Sequence, residues 1–277
     1  VNYLAARQVD GRYDILPAPQ AASYPLSSSQ YRIWLLSQLD EGSAAYNMCS
    51  VYVLTGKVNL PAVEDAFARL IRKHEILRTV FKEESGGEVR QYIIPATEAG
   101  HRIRYEDVRH RTPAEQKNRV SAECIERFDL SAGPLIRISL YRVEDDKWWL
   151  VTGMHHIISD GWSMGIFWHE LDELSAAHAQ GRPSRLPPLP IQYADYALWQ
   201  RRRMEDDGED LTRSLAFWRR ALAGLPSLDL PTDHPRPPMR SASAHAVLDS
   251  TDTHSQNAAA SGSIPTEARR RSLPRSG

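Results

Sequence analysis

The chain has 277 residues, 42% of them hydrophobic and 25% charged, with a formal net charge of -1. That is ordinary for a soluble globular protein of one large or two medium domains, and the near-neutral balance gives no whole-chain basic field for nucleic acid. No apolar run approaches the roughly 20 residues of a membrane span. The amino end, Val-Asn-Tyr, lacks a basic-then-apolar secretory signal. We therefore expect a cytoplasmic location, with neither a nucleic-acid nor a membrane partner. Without an initiator methionine, the chain is expected to be a fragment or a processed product. Cys49 and Cys124 show no metal or redox spacing and read as two reduced, buried thiols.

Residues 1–23 are polar and irregular and read as a linker or arm. From Tyr24 the pattern changes. Ser28 or Ser29 caps a helix whose apolar stripe is Ile33, Trp34, Leu36 and Leu39, with Gln30 and Arg32 on its polar side. Asn47 to Thr55 is a β-branched and aromatic strand. Asn59 and Pro61 start a second helix, with Val63, Ala66, Phe67, Leu70 and Ile71 inward. Within Arg72–Phe81 that helix ends and a strand begins, with Leu77, Thr79 and Phe81 on one face and Arg78 and Val80 on the other. Ser85 to Glu88 is a hairpin turn returning as Val89–Ile94.

Pro113 opens a helix to about Phe128, with Val120, Cys124 and Phe128 at helical spacing. Pro134–Val143 and Trp148–Met154 are strands joined by Glu144, Asp145 and Asp146. A helix runs from about Ser163 to Ala179, with Ile166, Phe167, Glu170, Leu171 and Leu174 periodic, and stops at Gly181. A proline-rich connector follows, then helices over Tyr193–Arg203 and Thr212–Ala223. Beyond about Ser241 large apolar residues all but vanish. Residues 239–277 therefore read as a disordered, frameshifted or artificial tail. Strands alternating with helices, plus a hairpin, predict a layered α/β (α+β) domain over residues 24–238.

The chain is organised around Lys147–Leu171. A strand enters a short loop holding His155, His156, Asp160 and Gly161, and a helix leaves it. Neighbours on a strand face opposite ways, so only one imidazole can enter a given cleft while the other turns into the protein. Gly161 permits a backbone conformation that most residues resist. An exposed imidazole beside a carboxylate suits acyl transfer, as a general base or through electrostatic positioning. Asp160 can instead be structural, paired through two parallel hydrogen bonds to an arginine such as Arg78. A metal site is disfavoured, because adjacent histidines diverge and no further ligand clusters with them. A Ser-His-Asp hydrolase lacks its nucleophile elbow. A purely structural His-His-Asp loop is the remaining plain reading.

Four stretches decide between these readings. SSSQYRIWLL (Ser27–Leu36), RKHEILRTVF (Arg72–Phe81), MHHIISDGWS (Met154–Ser163) and YADYALWQ (Tyr193–Gln200) occur in that order. With them the chain resembles the condensation domain of non-ribosomal peptide synthetases. The third stretch matches the family's His-His-x-x-x-Asp-Gly motif without departure. The wording around it looks most like the subtype joining two L-configured residues.

The resemblance implies a two-lobed fold like chloramphenicol acetyltransferase, and amide formation in secondary-metabolite and antibiotic biosynthesis. The α-amine of an acceptor aminoacyl thioester attacks a donor aminoacyl or peptidyl thioester. Upstream and downstream peptidyl carrier proteins present both on phosphopantetheine arms beside an adenylation domain. No cofactor is bound directly. By the same resemblance His156 faces the tunnel and either orients the amine or accepts its proton, which stays open. His155 is structural, Asp160 pairs with Arg78, and Gly161 gives backbone access. The family's domain is longer than this chain, and its C-terminal lobe completes the cleft. A truncated, catalytically incompetent carrier-docking module and a related epimerisation or acyltransferase domain are the alternatives.

Overall fold

The computed structural model describes residues 14–39, 44–206, 208–226, 231 and 269–270. The expectations for residues 1–13, and for nearly all of 227–277, lie outside the described residues. Within the stretch expected to be a structureless tail, however, Arg269–Arg270 form a short strand against Tyr52 and Val53.

The elements in order are β1 (Tyr24–Pro25), α1 (Ser28–Leu39), β2 (Asn47–Thr55), α2 (Leu60–Lys73), a 3-10 turn (Glu75–Arg78), β3 (Thr79–Glu83), β4 (Val89–Ile93) and β5 (Ile103–Asp107). They continue as α3 (Pro113–Cys124), β6 (Ile136–Glu144), β7 (Lys147–His155), α4 (Gly161–Ala179), α5 (Tyr193–Asp206), α6 (Gly208–Ala221) and β8 (Arg269–Arg270). The larger sheet has the order β5-β6-β7-β2-β8, and a small one the order β1-β4-β3. Among the described strands only β5 and β6 pair in parallel, with α3 as their crossover.

Side-chain parity sorts the large sheet into two faces. On β7, Trp148, Leu150 and Met154 join the main core with α2 and α4, through Phe67, Leu70, Phe167 and Leu171. Trp149 and Val151 point the other way, to a smaller core under α3 with Val120 and Tyr141. The five apolar residues expected inward on α2 are all buried. Asn59 caps that helix by accepting from the Ala62 N–H, with Pro61 in the first turn. The hairpin forms as expected: Glu84 N–H donates to the Glu88 carbonyl, and β3 pairs with β4.

Several expectations are corrected. Cys49 and Cys124 are bonded as a disulfide, because the sheet lays α3 over β2 and brings together residues 75 apart in sequence. Helix α3 ends at Cys124, so Phe128 lies beyond it. After α2 the chain makes a 3-10 turn over Glu75–Arg78, so Leu77 and Arg78 precede the strand; along β3, Thr79 and Phe81 alternate with Val80 as expected, and all three are buried. Helix α1 is capped one residue early, by Ser27, whose Oγ accepts from the Gln30 N–H. Leu36 of its stripe is 37% exposed and Ile166 of α4 is 45% exposed. Strand β5 is an addition to the expected elements, because its charged alternation, Ile-Arg-Tyr-Glu-Asp, masks an edge strand.

Gly133 has φ +65°, and a Cβ there would sit 2.8 Å from Val80 Cγ1. Left-handed backbone and overlap with a buried neighbour both oppose any side chain at this position. Gly133→Ala should therefore cost about 1–3 kcal/mol in urea unfolding. Gly86→Ala, whose Cβ meets nothing within 4 Å, serves as the control; equal midpoints for the two variants would count against this account.

Candidate active site

Strand β7 is held on both sides to its last residue. His155 N–H donates to the Leu135 carbonyl at 3.0 Å, and His156 N–H donates to the Tyr46 carbonyl at 2.8 Å. The donors point to opposite neighbours, the strand ends at His155, and His156 opens the turn that Ile158 N–H closes on the His155 carbonyl at 3.1 Å; the two side chains diverge, one buried and one exposed. His155 is 5% exposed. It lies between Tyr46 and Phe128, each with its ring centroid 6.2 Å away. Its Nδ1 accepts from the Ile157 N–H at 3.2 Å, which tightens the turn after the strand. Burial, with repulsion from His156 second, pushes its pKa down to about 4. His156 is exposed and lines an open cleft of about 540 Å³.

All four sequence stretches reach this cleft. Ser29, Gln30 and Arg32 come from the first, His74 and Leu77 from the second, His156 and Asp160 from the third, and Tyr193 and Tyr196 from the fourth. Hydrogen bonds join the stretches behind the wall. Tyr193 Oη and Ser27 Oγ are 2.9 Å apart, and Ser28 N–H donates to Gln200 Oε1 at 2.8 Å. Glu75 N–H donates to Gln192 Oε1 at 3.1 Å, while Gln192 Nε2 donates to the Lys73 carbonyl at 3.0 Å. Helix α5 thus ties the starts of α1 and of the 3-10 turn to one place.

Asp160 and Arg78 do not pair. Asp160 caps α4, its Oδ1 accepting from the Ser163 N–H at 2.8 Å and from Ser163 Oγ at 2.6 Å. These bonds hold its carboxyl below the usual carboxylate range. Arg78 donates instead to the Ile94 carbonyl at 2.7 Å and to Glu75 Oε1 at 3.2 Å, tying the 3-10 turn to the end of β4. An aspartate followed by a helix with serine at its third position already carries the capping signal. Charge complementarity with Arg78 is the weaker guide here. The expected special backbone conformation of Gly161 is corrected too. Its φ is not in the left-handed region, and a Cβ there would meet nothing within 4 Å. Neither backbone strain nor local crowding requires glycine in this chain.

Glu170, expected as part of the periodic apolar face of α4, is a buried anion. Burial pushes its carboxyl up, but hydrogen bonds from Lys73 and His74 overcome that and leave it below the ordinary range. The separations are 2.6 Å to Lys73 Nζ and 2.5 Å to His74 Nε2. This network joins α2 to α4 beneath the cleft and fixes His74 in its wall. The sequence signal is an acidic residue at a core-facing helical position with a basic pair elsewhere, which spacing alone cannot connect. Among the described residues, no group of three or more His, Cys, Asp and Glu is arranged to hold a metal ion. No described helix is long and apolar enough to cross a membrane.

His155 gives a pH test. Its folded pKa lies below the unfolded value of about 6.5, so the unfolded state takes up the proton first as pH falls. Its contribution is complete above about pH 6.5 and is lost down to about pH 4, by about 3 kcal/mol at 1.36 kcal/mol per unit. Urea midpoints should fall over that range in the wild type and fall less in His155→Asn. Parallel curves would remove His155 as the cause. For the cap, Asp160→Ala should cost about 0.5–2 kcal/mol and Asp160→Asn much less. Equal losses in thermal melts would show that the carboxylate does more than cap.

Comparison with known proteins agrees with this geometry. Residues 20–261 match the family model described as Condensation domain. The chain is 42% identical over 226 residues to malpinin synthetase of Mortierella alpina, covering 80% of this chain and 3% of that protein. It is 43% identical over 220 residues to phosphinothricin tripeptide synthetase PhsC of Streptomyces viridochromogenes, covering 77% of this chain and 20% of that one. Among solved structures, the X-domain in its complex with OxyB from teicoplanin biosynthesis matches with a TM-score of 0.71 and 28% identity, over 82% of this chain and 50% of that chain. The starter condensation domain of rhizomide synthetase RzmA shows the same fold, with a TM-score of 0.63 at 21% identity, over 74% and 48%. The chain thus spans a small part of these curated relatives and about half of the solved chains. With four motifs converging on one cleft and a family model matched over most of its length, the chain belongs to the condensation-domain family.

Proposed function

We propose that this chain carries the histidine-bearing half of a domain that forms amide bonds between thioester-tethered substrates in non-ribosomal peptide synthesis. The observation that carries the reading is the exposed His156 imidazole in an open cleft to which all four motifs contribute. The nitrogen of the acceptor's amine attacks the donor thioester carbonyl. A C–N bond forms, the C–S bond breaks, and the donor arm leaves as a thiol that regains the proton lost by the amine. His156 orients the amine and takes up its proton. His155, buried and hydrogen-bonded to the next turn, sets the loop but touches no substrate. Because the thioester is already activated, positioning carries much of the catalysis; orientation is worth up to about 7–11 kcal/mol in favourable cases.

The substrates arrive on the phosphopantetheine arms of carrier proteins. Upstream and downstream peptidyl carrier proteins and an adenylation domain are the partners, and the cytoplasm is the compartment. Residues 24–238 form the N-terminal lobe and the start of the crossover, and a C-terminal lobe completes the cleft. Trp162, 83% exposed beside the cleft, and the exposed Leu211, Leu215, Trp218 and Leu222 of α6 support this division. Apolar surface of that extent is normally covered by a partner.

The test is an aminoacyl transfer assay with two loaded carrier proteins. It uses this chain together with the part of its parent protein that matches the rest of the solved neighbours. Dipeptidyl product should accumulate on the acceptor carrier, and His156→Ala should lower the rate about 10²–10⁴-fold without moving the unfolding midpoint. Carrier binding with no transfer would favour a docking module. An unchanged rate in His156→Ala would end the catalytic assignment.

A further inference from the structure

Gln30 is 1% exposed and lies in the wall of the His156 cleft. Its amide is committed at one end only. Oε1 accepts from the Ser27 N–H at 3.0 Å. Its backbone N–H donates to Ser27 Oγ, which in turn is held 2.9 Å from Tyr193 Oη. Exchanging the amide's two ends would set an NH₂ against the Ser27 N–H, so the network itself fixes the orientation. Nε2 is then left buried with no hydrogen-bond partner. A buried donor without an acceptor is costly to keep, and this one belongs to a side chain in the wall of the substrate cleft.

We infer that Gln30 is a substrate-binding residue whose Nε2 donates to a carbonyl oxygen of the tethered substrate, either the aminoacyl carbonyl or an amide carbonyl of its pantetheine arm. The inference deepens the proposed function and rests on it for the identity of the ligand. An amide donor carries no charge and suits a neutral acceptor, while Arg32 is a charged residue of the same wall. A carbonyl meets that requirement, and thioester-tethered substrates carry one at the reacting carbon and others along the arm. Nε2 itself is closed to solvent in the free protein, so the neighbouring wall side chains must shift as the ligand carbonyl reaches it.

The test follows the Gln30 side-chain NH₂ resonances of the ¹⁵N-labelled chain. It is titrated with a non-hydrolysable amide analogue of aminoacyl-pantetheine, with unacylated pantetheine, and with an aminoacyl N-acetylcysteamine thioester. A downfield shift with both acylated ligands and not with pantetheine assigns the aminoacyl carbonyl. A shift with pantetheine itself assigns the arm. Gln30→Met should bind about tenfold more weakly. Gln30→Glu, which retains the acceptor for the Ser27 N–H but loses the donor, should do the same while keeping the fold. No shift with any ligand, or wild-type affinity in both variants, would overturn the inference. Wild-type transfer rates in both variants would overturn it while leaving the proposed function standing. A Gln30 shift in a chain that shows no transfer would do the reverse.

Discussion

Two backbone hydrogen bonds at the end of β7 govern the site. The strand lies between β6 and β2, and its last donors alternate between them: His155 to Leu135, then His156 to Tyr46. Because the strand stops at His155 and turns at His156, two chemically identical side chains enter different media. One imidazole is enclosed by aromatic rings and held neutral, and the other meets solvent. A one-residue slip in the register of β7 would exchange them and place the wrong histidine in the cleft.

The remainder of the architecture supports that strand end. Helices α2 and α4 cover the face of the sheet that carries Leu150 and Met154, and α3 covers the opposite face. The buried Glu170 network joins α2 to α4 below the cleft, and Asp160 stops α4 from unravelling at its rim. Helix α5 then binds the starts of α1 and the 3-10 turn through Tyr193, Gln192 and Gln200. Most charged and amide side chains near the cleft are occupied in building its walls. Against that background the uncommitted donor of Gln30 stands apart.

Much of the element order was legible because it rests on local physics. The bounds of β2, the Asn59 cap, the inward face of α2 and the β3–β4 turn all follow from neighbours within a few residues. What went wrong required knowledge of distant neighbours. Arg78 and Asp160 have complementary charge, yet each finds a partner close in its own segment: Asp160 the Ser163 N–H and hydroxyl, Arg78 Glu75 and the Ile94 carbonyl. The edge strand β5 was hidden by its charges, since an edge needs only one apolar row. Helix α1 presents Leu36 outward because tertiary packing chose a narrower stripe than the periodicity offered.

The sequence alone determined the loop of His155, His156, Asp160 and Gly161, the alternation that divides its two histidines, and the order of the four motifs. These are properties of residue type and spacing, and strand parity follows from covalent geometry. Only the tertiary structure decided which imidazole meets the cleft and that the four motifs surround one space. It also decided that Cys49 meets Cys124, and that Asp160 serves its own helix. Each of these depends on which faces pack together, and packing is a contest among long-range contacts that no local pattern records.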